Sequence, residues 1–197
     1  MYDALKQDFI ALTCKDPQLK IFGAQHHQYK LRPVLAEEHL LVFEEKHRVY
    51  LPSDYRMFLK EFSNGGAGPY YGMYALENYY QPRFYDGSDA NYIDQGFLHT
   101  PFPYTKNNPC IARETNENLT DEEYAKEFVK NFSGAITLAH QGCGYYDMLI
   151  VSGIEKGTVW TDATVSDQGM GRAFDSFTEW YSHWLGTSLE ACRGNRG

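Results

Sequence analysis

Three short stretches rich in β-forming residues, 134–140, 145–152 and 157–161, follow one another with glycines at their boundaries. That pattern predicts an antiparallel run of strands. The spacing from Ser152 to Glu155 fits a tight hairpin around Gly153. A sheet of this kind must bury at least one face, and the rest of the chain supplies helices to cover it.

Those helices are legible from their apolar period. Over 2–12, Leu5, Phe9 and Leu12 fall on one face. Over 34–48, Leu40 and Phe43 oppose a solvated face of Glu37, Glu38, Glu44 and Lys46. Over 52–63, Tyr55, Phe58, Leu59 and Phe62 recur at helical spacing, with Pro52 suited to the first turn and Gly65–Gly66 to the stop. Over 119–132, Thr120 and Glu123 form a capping box, and Leu119 and Tyr124 a hydrophobic staple. A last helix, 176–189, carries Phe177, Trp180, Tyr181, Trp184 and Leu185 as one wide stripe behind a second Ser176/Glu179 box. Its expected role is to cover one face of the sheet. The fold class is therefore α+β: a central, mainly antiparallel twisted sheet with flanking helices, one domain over 1–192 and a fraying tail over 193–197.

The segment 67–118 breaks this regularity. It holds Pro69, Pro82, Pro101, Pro103 and Pro109, five of the eight prolines, and short strands such as 70–76 are expected between loops. Eleven aromatic residues fall within 70–104. Linkers are poor in aromatics, so this stretch is expected to pack as ordered structure over the core.

Charge and cysteine usage limit the partners. The net charge is −8, which disfavours nucleic acid. Residues 77–123 hold nine acids against three bases, a field that steers basic partners. Asp3, Lys6 and Asp8 interrupt what would be the apolar core of a signal peptide, and no apolar run approaches the roughly 20 residues of a membrane span. Cys14, Cys110, Cys143 and Cys192 form no C-x-x-C pair, which suits free thiols in a reducing compartment. The expected location is the cytoplasm.

Two blocks are distinctive when taken together. The first is Leu51-Pro52-Ser53-Asp54-Tyr55-Arg56-Met57-Phe58-Leu59 followed by Ser63-Asn64-Gly65-Gly66. The second runs from Gly134-Ala135-Ile136-Thr137-Leu138 through Gly142-Cys143-Gly144 and Leu149-Ile150-Val151-Ser152-Gly153 to Gly157-Thr158-Val159-Trp160. Phe97-Leu98, Pro101-Phe102-Pro103 and the aromatic stripe of the last helix accompany them. This resembles the SUKH superfamily, which contains bacterial immunity proteins and fungal regulators of cell-wall assembly. The resemblance implies an α+β fold and a binding protein, not a catalyst. Its motif residues have structural roles. Asn64-Gly65-Gly66 reverses the chain close to other backbone. Gly142-Cys143-Gly144 does the same with a small buried thiol, and Trp160 packs under the last helix.

Sharper chemistry fits poorly. Cys143 lies three residues after His140, a nucleophile–base spacing with no third orienting group, and a structural thiol is the better reading. His26, His27, His140 and His183 match no zinc pattern. The glycines at 65–68 follow a helix and lack the Lys of a phosphate loop. Asp162, Asp167 and Asp175 lack calcium-loop spacing. No cofactor, metal or catalytic residue is expected.

What remains is recognition. About half of the tyrosines in 70–92 are expected in the core. The others, next to acids, suit an interface. The expected partner-binding set is Tyr79, Tyr80, Phe84, Tyr85, Asp86, Asp89 and Asp94. The expected function is an immunity protein that neutralises a basic toxin domain. A regulatory scaffold is the alternative, and a Cys–His hydrolase a distant third.

Overall fold

The computed structural model describes residues 2–94, 96–110 and 119–194. Four helices come first: α1 (Tyr2–Lys15), α2 (Ala24–His27), α3 (Glu37–His47) and α4 (Ser53–Glu61). An irregular stretch with two short 3₁₀ turns, Leu76–Asn78 and Ser88–Tyr92, leads to α5 (Asp121–Lys130). Then come β1 (Ala135–Gly142), β2 (Tyr145–Ile150), β3 (Val159–Asp162), β4 (Met170–Phe174) and α6 (Phe177–Gly194). The strands form one antiparallel meander in the order β1-β2-β3-β4. The α+β class is the one expected from the sequence.

Register decides what each face of the sheet meets, because side chains alternate along a strand. Asp147 pairs with Thr161 across β2 and β3, and Met148 with Trp160. The Trp180 Nε1–H of α6 donates to Asp147 at 2.8 Å, so α6 covers the Asp147–Thr161 face. Behind α6, Phe177 packs on Tyr55 and Phe58 of α4, at 4.8 and 4.9 Å between ring centroids. Trp160 therefore points the other way. It is fully buried against Phe102, 5.0 Å away, and does not pack under α6 as the sequence suggested.

The second face is covered by the irregular stretch and by α5. Arg83 reaches down to Thr137 and Asp162, and Phe84 packs on Phe128 of α5 at 4.7 Å. The same stretch closes the β1 edge. The Tyr74 N–H donates to the Leu138 carbonyl and the Thr137 N–H to the Tyr79 carbonyl, both at 2.8 Å. Residues 70–76 form no full strand; Met73 makes single bridges to Gly66 and Ala139. An aromatic segment without helical period is thus ordered because it is the outer layer of the sheet.

The α5 capping box is present. Thr120 Oγ1 accepts from the Glu123 N–H at 3.3 Å, and the Glu123 carboxylate accepts from the Thr120 N–H at 2.9 Å. Thr120→Ala should lower stability by about 1 kcal/mol, read as a lower urea midpoint with an unchanged slope. At α6 the box is shifted. Ser176 Oγ accepts from the Glu179 N–H, but Glu179 reaches the N–H of Asp175, not of Ser176. α6 also runs five residues past its expected end, to Gly194. No helix among the described residues is long and apolar enough to cross a membrane.

Candidate partner-binding surface

The loop expected to bind a partner is built from the inside out. Asp89 is its internal strut. It is 0% exposed and accepts from the Tyr80 hydroxyl at 2.5 Å, the Arg83 N–H at 2.8 Å and the Phe84 N–H at 3.3 Å. A carboxylate can be buried when backbone and hydroxyl donors replace water in this way. Asp89 is therefore not a steering charge on the surface, which corrects the sequence reading. Burial, together with the hydrogen bond to Asp89, holds the Tyr80 hydroxyl protonated well above the ordinary range.

Arg83 pins the loop to the sheet. Its side chain is 5% exposed and its Nε lies 3.4 Å from the fully buried Asp162 carboxylate. Nη1 donates to Thr137 Oγ1 at 3.1 Å and to the Gln81 carbonyl. The guanidinium lies over the rings of Tyr146, Phe132 and Tyr80, at 4.3, 4.6 and 5.2 Å. Asp162 also accepts from the Thr164 N–H and hydroxyl. A buried charge pair with this many partners fixes the geometry of everything above it.

Three of the seven expected contact residues are presented outward. Tyr85 is fully exposed, Asp86 beside it is exposed, and so is Asp94. Asp86 accepts from the Ser88 N–H at 3.0 Å, which holds its carboxyl below the ordinary range. Asp94 accepts from the Gly96 N–H at 2.7 Å. Tyr79, Tyr80 and Phe84 are half-buried and pack against the core. Tyr79 meets Phe43, His47 and Phe97, and Phe84 stacks on Tyr124. They support the loop and do not stand free of it.

Apart from Trp160, which faces away from α6, the motif residues sit where the sequence placed them, with one exception. Leu51, Pro52 and Tyr55 are buried. Asn64 accepts from the Leu76 N–H at 2.9 Å and donates to Glu77 at 3.0 Å. Gly65 and Gly66 have φ of +86° and +96°, and a Cβ on Gly66 would meet the Lys30 carbonyl at 2.4 Å. The exception is Cys143. It occupies the β1–β2 hairpin tip at φ +51°, between Gly142 and Gly144, and is exposed, not buried. His140 packs on the rings of Tyr71 and Tyr146, and among the described residues no hydrogen bond joins it to Cys143.

Another buried carboxylate, on the α6 face of the sheet, is outside the set expected from the sequence. Asp147 accepts from Gln141 Nε2 and Thr161 Oγ1, both at 2.7 Å, and from Trp180 Nε1. Burial pushes its carboxyl above the ordinary range. Neither Asp147 nor the Arg83–Asp162 pair carries a local sequence signal. Their partners lie up to 79 residues away.

The buried struts, the outward acids and the glycine turns describe a rigid scaffold that presents a loop. No curated protein and no solved structure matches the chain. The model of the SMI1 / KNR4 family (SUKH-1) matches residues 35–183, and the chain belongs to that family.

Proposed function

We propose that this SUKH-1 domain acts by binding another protein, as a cytoplasmic immunity protein that neutralises a basic toxin domain by covering its surface. The observation that carries the reading is Tyr85. A fully exposed tyrosine beside Asp86 stands on a loop fixed by Asp89 and Arg83. A tyrosine carried on a fixed loop spares the backbone-ordering cost of binding, and flanking acids speed encounter with a basic partner. The proposal contains no catalytic step.

The reading requires a toxin domain encoded beside the gene, and the test is co-expression with it, scored as rescue of growth and as a co-purified complex. Failure of both overturns the reading. In the complex, Tyr85→Ala should mainly speed dissociation and cost about 2 kcal/mol. Asp86→Asn with Asp94→Asn should mainly slow association and flatten its salt dependence, since exposed charges act through the screened long-range field. Surface plasmon resonance at several salt concentrations separates the two effects.

The regulatory-scaffold reading draws on a separate feature. Leu41 and Val42, neighbours on α3, are 53% and 64% exposed and offer an apolar contact apart from Tyr85 in the sequence. Weak capture of several partners without toxin rescue would select it.

A further inference from the structure

The hairpin tip that carries Cys143 borders a groove of a different character from the acidic loop. One part, about 490 Å³, is lined by His26, Tyr71, Tyr74, His140 and the tip itself. A second part, about 330 Å³, shares His26, Tyr71, Gly72 and Tyr74 and continues past Lys30 and Arg32. The two parts share these four residues as a common wall.

Its charge runs against that of the chain. The net charge is −8, yet among the described residues no Asp or Glu lines either part. Lys30 makes no ion pair among the described residues. Arg32 meets Glu77 at 3.2 Å, but both side chains are about half exposed, so the pair is screened and exchangeable. Both permanent cations line the part that Tyr71 and Tyr74 also line, and Glu77 is the carboxylate that meets one of them.

Its centre is aromatic. Tyr71 is 39% exposed and held by three rings: Phe22 at 5.3 Å, His26 at 5.9 Å and His140 at 5.9 Å. Phe22, 59% exposed, lines a neighbouring pocket and meets Tyr71 edge-on. The hairpin tip seats the tyrosine, because a Cβ on Gly142 would lie 3.3 Å from its ring. A part-exposed tyrosine fixed by its neighbours has the properties of a binding anchor.

We propose that this groove binds a short acidic segment of a protein partner. An apolar side chain of that segment rests on Tyr71 and Phe22, and its carboxylates face Lys30 and Arg32. Charge complementarity selects this occupant. Nucleic acid fits less well, because two cations do not track a phosphate backbone. The site shares no residue with Tyr85, Asp86 and Asp94, so it stands or falls separately from toxin binding.

The experiment is fluorescence anisotropy on the full chain with the labelled peptide Gly-Glu-Glu-Leu-Phe-Glu-Gly. The comparison ligands are the same peptide with lysine for each glutamate and a thymidine octanucleotide. The acidic peptide should bind at least about tenfold more tightly than either, and Lys30→Glu and Tyr71→Ala should each weaken it about tenfold. Tyr85→Ala should bind it unchanged. Lys30 is exposed, so its variant keeps the fold, which circular dichroism checks. Equal binding of the two peptides, preference for the lysine peptide or the oligonucleotide, or full binding by Lys30→Glu overturns the proposal.

Discussion

Asp162→Ala should lower stability by about 3–5 kcal/mol, the cost of leaving a buried charge without its partner. Arg83 would keep its bond to Thr137 and its three ring contacts, but no carboxylate would remain to balance a guanidinium that is 5% exposed. The Thr164 N–H and hydroxyl would lose their acceptor as well. The damage should be local first. Arg83 joins the 79–94 loop to the sheet, so amides of that loop should lose hydrogen-exchange protection before those of β1–β3. The double variant Arg83→Met with Asp162→Leu should recover most of the loss, because removing both charges also removes the desolvation cost. Urea unfolding of the single and double variants measures the coupling directly. If Asp162→Ala costs under about 1 kcal/mol and the loop stays protected, the pair does not hold the loop.

This pair also shows where reading the sequence reaches its limit. Helices α1, α4, α5 and α6 were legible because each carries its own period, stop or capping box, and such signals are local. β1, β2 and β3 were legible from glycine-bounded β-formers. β4 was not, because Met-Gly-Arg-Ala-Phe has a glycine and an arginine inside it and is exposed at alternate positions. Its strand character comes from pairing with β3 and from the bridge between Met170 and Cys110. Trp160 faces away from α6, contrary to expectation, because facing depends on register, which no single strand encodes.

The candidate surface departs from expectation for a related reason. An aspartate is exposed by default, so Asp89 was read with Asp86 and Asp94. Only the folded loop shows that three donors converge on it. The acid-rich sequence segment thus combines two kinds of carboxylate. One kind builds the loop, and the other faces solvent. The positive φ at Cys143 is likewise a property of the hairpin tip, which turns the thiol outward although the residue type favours burial.

Asp147 sets two physical effects against each other, and Asp147→Asn separates them. The carboxylate receives Gln141, Thr161 and Trp180 with its two oxygens. An asparagine keeps one acceptor oxygen and turns an NH₂ toward groups that are themselves donors. The substitution should cost about 3 kcal/mol, since at least one buried donor is left unpaired. The cost should depend on pH in a definite direction. Burial raises the folded-state pKa of Asp147, so the folded chain holds this proton more tightly than the unfolded chain. The stability that the group contributes is therefore complete below its unfolded pKa and declines as pH rises through the raised folded value. Every other titrating group is common to both chains, so the difference between them isolates Asp147. That difference, from urea midpoints, should be larger at about pH 3 than at about pH 7. A difference that instead widens toward neutral pH would mean that the hydrogen bonds favour the charged carboxylate more than burial opposes it. Asp147 would then be a satisfied anion holding α6 to the sheet.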